Sequence, residues 1–161
     1  MRPAVPTAAA ALALGLAFVA CGGGDDLAEN LLEDQINDAL GSEGDFDLDI
    51  GQDASLPEGF PDDVPVPSLD VQSSTSAVEG GEQIFSVAFV GGGDVLAVAD
   101  GLRNRFRAQG WDVGDDFSQE ADGMRTEGFN ASQGDREAVV IVSATQDGQV
   151  AVSMVVNQPA G

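Results

Sequence analysis

Carboxylates, hydroxyls, one thiol and six arginines make up the chemical repertoire of this chain. Its 161 residues include no His, Lys or Tyr and a single Cys, Cys21, against 28 Asp and Glu. Histidine general bases, Schiff-base lysines and thiol-rich metal sites therefore have no residues to build on. Paired carboxylates could still cleave glycosidic bonds if a cleft held them at a defined separation. The adjacent pairs are Asp62-Asp63, in a proline-rich stretch, and Asp115-Asp116, at the expected end of a strand. Both settings leave acids in water, so the expectation is a protein without catalysis and without a cofactor.

Two constellations remain. Asp45, Asp47, Asp49 and Asp53 offer hard oxygen ligands, and D-x-D-x-D opens a calcium loop of the EF-hand kind. That match fails further on, because Ile50 stands where the loop needs Gly and Leu56 where it needs a bidentate Glu. Calcium or small-solute binding through surface carboxylates is accordingly the alternative reading, and a solvated acidic strand the plainer one. Arg103, Arg107 and Trp111 form the second constellation. Arg103 and Arg107 share a helix face at i, i+4, and with Trp111 they could hold an anion or a protein partner. Cations near a helix C-terminus also complement its dipole, and Asp100 precedes Arg103 by three residues, which accounts for them structurally. On that account Arg103→Ala with Arg107→Ala leaves folding largely intact.

Cys21 ends an apolar run, Ala8 to Ala20, that follows the charge of Arg2 and precedes Gly22-Gly23-Gly24. A charged start, an apolar middle and small residues before a cut are the parts of a secretory signal. Phe18-Val19-Ala20-Cys21 resembles the lipobox of bacterial lipoproteins, with Phe18 where that family usually has Leu. The resemblance implies cleavage before Cys21 and a covalent lipid on its sulfur, and hence a place at the extracytoplasmic face of the cell membrane. Two readings compete, first a secreted protein without the lipid and last a retained transmembrane helix. The helix is disfavoured because a spanning helix needs about 20 apolar residues and Ala, which dominates here, inserts weakly.

Charge points the same way. Residues 22–64 hold 14 acids and no base, and residues 65–161 hold 14 acids and five Arg. So acidic a chain should not bind nucleic acid and is repelled by anionic lipid, so that only a covalent anchor would keep it at a membrane. A salt-rich habitat would also select such a surface.

The elements that position these residues follow from periodicity. Ala28, Leu31, Leu32, Ile36, Ala39 and Leu40 recur at helical spacing and predict a helix from about 26 to 40, with Glu29, Glu33, Asp34 and Asp38 off its apolar stripe. The stripe must bury against the protein's own sheet or against a partner. Asp45 to Asp53 alternates acid with apolar residue and reads as a short strand. Leu56 to Pro67 holds four prolines and reads as an extended brace. Together, an acylated Cys, a short acidic helix, an Asp-alternating strand and L-P-x-x-F-P-x-D-V-P are similar to small exported lipoproteins of unknown function from high-GC Gram-positive bacteria. That resemblance implies a cell-envelope location and brings no catalytic residue.

Beyond Pro67 the pattern is that of a packed domain. Strands are expected over Leu69–Ser76 and Ile84–Val90, a helix from Asp94 to about Gln109, and strands over Trp111–Phe117, Met124–Ala131, Ala138–Thr145 and Val150–Val156. Gly91-Gly92-Gly93 before that helix is no phosphate loop, since no Lys-Ser or Lys-Thr follows and Asp94 would repel an anion. Ile84–Val90 is apolar on both faces, which predicts cover on both sides. The fold class is therefore α+β, an antiparallel sheet in the order ββαββββ with one helix packed on it. The expected organisation is a signal peptide at 1–20, a lipidated Cys and glycine joint at 21–25, an acidic spacer at 26–67, the domain at 68–157 and a frayed tail at 158–161. Its expected partners are the membrane, through the lipid, and an unidentified envelope protein or polymer. Nothing in the pattern sets an oligomeric state.

Overall fold

A computed structural model describes residues 46–51, 53–121 and 123–160. The apolar leader, Cys21, the glycine joint, the helix expected over 26–40 and Asp45 lie outside the described residues.

Seven strands and one helix follow in the order β1 (Phe46–Ile50), β2 (Asp70–Glu79), β3 (Glu82–Gly91), α1 (Val95–Ala108), β4 (Asp112–Ala121), β5 (Met124–Gln133), β6 (Arg136–Ala144) and β7 (Val150–Pro159). They make one antiparallel sheet, β1-β2-β3-β7-β6-β5-β4. The chain leaves β3 in mid-sheet, crosses through α1 to the far edge, and meanders back from β4 to pair β7 with β3. The expected ββαββββ order is present, and the Asp-alternating stretch adds a further edge strand, so the sheet reaches back to Phe46. Glu79 opposes Glu82 across Gly80 and Gly81, whose φ values of 62° and 87° suit the tight turn that joins twisted strands.

Asp94 caps α1, its side chain accepting from the Ala97 N–H at 3.0 Å. Gly110, at φ 84°, turns the chain out of the helix. The buried face of α1 is Val95, Ala99, Leu102, Arg103 and Phe106, and it lies over β4, β5 and β6. Phe106 meets the rings of Trp111 and Phe129 edge to face at 5.3 and 5.5 Å. The other half of that side is covered by the proline brace. Pro57, Val64 and Pro67 are buried, and Phe60 stands edge-on to Phe85 at 5.6 Å. α1 and the brace thus share one side of the sheet, which we call the helix face.

The second side departs from expectation. Phe85, Val87 and Phe89 of β3 are buried under the helix face, but Ile84, Ala88 and Val90 on the far face are only half-buried. Two-sided cover of β3 is therefore not found among the described residues, because α1 and the brace both pack on the same side.

Candidate functional site

Arg103 is the most enclosed basic group described on the helix face, 7% exposed. Its guanidinium donates to Asp100 at 3.0 Å, Asp116 at 3.1 Å, Glu127 at 3.5 Å and the Gly128 carbonyl at 3.4 Å, and it stacks 5.3 Å from the Phe129 ring. Glu127, 5% exposed, also accepts from Ser118 Oγ at 2.6 Å and Arg125 at 2.8 Å. The Ser118 hydrogen bond, then the Arg125 guanidinium, holds the Glu127 carboxyl below its ordinary 4.5. Nε, Nη1 and Nη2 of Arg103 and the Ser118 hydroxyl all face acceptors of the protein itself, so the chemistry of the cluster is to neutralise charge at the β4–β5 edge.

Asp100 as a partner of Arg103 is legible from their spacing. Asp116 and Glu127 arrive through strand pairing. The turn at Gly123 sets Ala121 opposite Met124, and counting back by pairs places Ser118 against Glu127. That turn was the available signal for the pair. The β-bulge between Gly114 and Asp116 was not, and it is this shift that puts Asp116 on the helix face opposite Phe129.

The expected grouping of Arg103, Arg107 and Trp111 is not brought together on one open surface. Trp111 is buried at 3% exposure beneath Arg136, whose guanidinium lies 5.0 Å from its ring, while Arg107 is exposed. Arg136 also makes two parallel bonds to Asp63, at 2.7 and 2.6 Å, closing the brace over the core. Its hydrogen bonds lower the Asp63 pKa below the ordinary 3.8, and Asp63 in turn raises that of Arg136. Arg105 pins the same brace, donating to the Val66 carbonyl at 2.7 Å. Asp63 and Arg136 are 73 residues apart, and nothing local in the sequence joins them.

On β1 the acids and apolar residues separate by face. Pairing puts Asp47 and Asp49 on the side of Ser76 and Ser74, the helix face, and Leu48 and Ile50 on the far face with Thr75 and Ser73. Asp49 accepts from the Ser55 N–H at 2.9 Å and from its hydroxyl at 3.2 Å, bonds that close the turn after β1. Asp47 and Asp53 are exposed. Among the described residues no group of three acids is placed to hold a metal ion.

The far face is the larger feature. Two adjacent rows cross all seven strands on it: Ile50, Ser73, Ala88, Ser153, Ile141, Gly128 and Phe117, then Leu48, Thr75, Ser86, Val155, Val139, Asn130 and Gly114. None of the fourteen is charged, in a chain with 28 acids. Ile50, Val139, Ile141 and Phe117 are exposed by 43, 39, 37 and 45%. Phe117 lies across Gly128, where an added Cβ would stand 2.1 Å from its ring, so this glycine makes room for the aromatic on the neighbouring strand.

Shallow grooves run along the Leu56–Val66 brace and between Asp112 and Val139 at one end of the far face. Neither is lined by a basic residue. Buried Ser74 Oγ, Trp111 Nε1 and Asn157 Oδ1 have no partner among the described residues, but they sit on separate elements. No described helix is long and apolar enough to cross a membrane. No protein-family model matches the chain, and no curated protein matches it in sequence.

Proposed function

We propose that the protein is a lipid-anchored cell-envelope protein that acts by contact with another envelope protein or polymer and catalyses no reaction. The observation that carries this reading is the Ala8–Ala20 run ending in Phe18-Val19-Ala20-Cys21 and passing at once into Gly22-Gly23-Gly24. A diacylated Cys21 would hold the chain stably, since two acyl chains suffice where one is marginal. Twenty-four residues separate Cys21 from the first described strand, enough to set a folded body off the bilayer. The use of Arg103, Arg125, Arg136 and Glu127 in internal ion pairs supports the non-catalytic half of the reading. A net charge of −22 favours a neutral or cationic partner over an anionic polymer.

Cell fractionation tests the anchor. The wild-type chain should sediment with membranes and leave them only with detergent, whereas Cys21→Ser should appear in the soluble exported fraction. Cys21→Ser remaining in the membrane pellet would contradict the proposal.

A further inference from the structure

Among the described residues the helix face is covered and the far face is not, yet the far face is built as if it were to be covered. β1 shows this most clearly. Its pairing with β2 turns Leu48 and Ile50 away from the helix-face core and Asp47 and Asp49 towards that side. Sliding the register by one residue would reverse this, so the observed pairing assigns the apolar half of the strand to the far face. β3 repeats the pattern with Ile84, Ala88 and Val90, and Val155, Val139 and Ile141 continue it across β7 and β6. Fourteen central positions without a charge have the depletion expected of the middle of an interface.

We infer that the far face is the docking site of the chain's own segment 27–40, packed as a helix with Ala28, Leu31, Leu32, Ile36 and Ala39 against the sheet. Three observations select this occupant. Five residues, 41–45, separate the segment from Phe46, the start of the edge strand whose Leu48 and Ile50 already lie on that face. Its stripe complements the uncharged rows, while Glu29, Glu33, Asp34 and Asp38 lie off the stripe and can turn to water. A helix of 14 residues is about 21 Å long and so spans roughly four strands at about 4.8 Å spacing. A second copy fits less well. The rim of the face carries Asp70, Glu79, Glu82, Asp112 and Glu137 with no base, and two such rims would oppose each other.

Docking also fixes a distance. On the Cys21 reading it leaves residues 22–26 as the free tether, roughly 17 Å at full extension, in place of roughly 80 Å for residues 22–45. The docking itself does not depend on the lipid.

Site-directed cross-linking tests it on the chain from residue 21 carrying Cys21→Ser. Ala88→Cys on the far face is combined with Leu32→Cys or Ala28→Cys on the stripe, or with Asn30→Cys on the opposite side of the helix, and treated with a short bismaleimide. The stripe pairs should close within one chain at least ten-fold faster than the Asn30 pair, and Val155→Glu should abolish that preference while the far-ultraviolet spectrum keeps its sheet signal. Equal rates for both helix sides would overturn the inference. So would products linking two chains, which would give the face to a second copy. Two stripe positions guard against one of them misfolding, and all variants are scored only where the sheet spectrum is retained.

Discussion

The two sides of this sheet carry the same strands and treat charge in opposite ways. On the helix face, carboxylates enter the rows at their ends, Asp47 and Asp49 on β1 and Asp116 on β4, and one buried arginine meets Asp116 and Glu127 there. On the far face the central rows hold only apolar, small and neutral polar residues. In a chain this acidic, keeping carboxylates out of an area seven strands wide is a constraint with a consequence: such a surface suits burial. The helix face shows what burial requires here, an element capped, aligned and locked by arginines. The far face shows the strand side of the same arrangement.

The comparison can be broken first at its best-buried point. Phe106→Ala, which removes a fully buried ring touching Trp111 and Phe129, should cost about 3–5 kcal/mol in denaturant unfolding. A loss below about 1 kcal/mol would mean that α1 is not seated as described.

On the far face, Ile84→Ala in the chain from residue 21 should cost about 2 kcal/mol if segment 27–40 covers it. Deletion of residues 27–40 should shrink that cost to well below about 1 kcal/mol, the usual range for half-exposed positions. A cost unchanged by the deletion would leave the two faces as unequal as they look.

Arg103→Ala should cost about 2 kcal/mol, because it removes a buried guanidinium that pairs with Asp100, Asp116 and Glu127 and packs on the Phe129 ring, whereas Arg107→Ala should be within about 0.5 kcal/mol of neutral. Spacing alone predicts that removing both leaves folding largely intact, with no difference between the two arginines, whereas the structure sets Arg103 apart. The reason is burial: Arg103 is closed in by β4 and β5, which spacing along the helix cannot show.

The smallest effect concerns pH. Glu127 and Asp63 both titrate below their ordinary values of 4.5 and 3.8 in the folded chain. Their stabilising contribution is therefore complete above those values and is lost as pH falls through the lower folded ones. The melting temperature should be flat from pH 7 to about 5 on this account and fall below about 4, with Glu127→Gln showing a shallower acid limb. An identical limb in the variant would remove Glu127 from the explanation.

Much of the architecture was legible because local chemistry states it. Asp94 and Gly110 bracket α1, and the glycine turns at Gly80-Gly81, Gly123 and Gly134 fall where alternating strands need them. The brace was legible as well, since proline both forbids helix and suits packing along a domain. What could not be read were the pairings made at long range. Arg136 with Asp63, Arg103 with Glu127, and β1 joining the sheet all depend on which strands become neighbours, and no local pattern encodes that. The double-sided apolarity of Ile84–Val90 predicted cover on both faces, and that demand is only partly met. The described residues meet half of it, and the inferred docking of segment 27–40 meets the rest.

On the proposed function this sheet domain hangs from a membrane by Cys21. Intact-mass and peptide mass spectrometry of the protein extracted from membranes tests it most directly. The account predicts a mature chain that begins at Cys21 and carries a diacylglyceryl group on its sulfur. A chain that retains residues 1–20, or one that begins elsewhere with Cys21 as a free thiol, would contradict it.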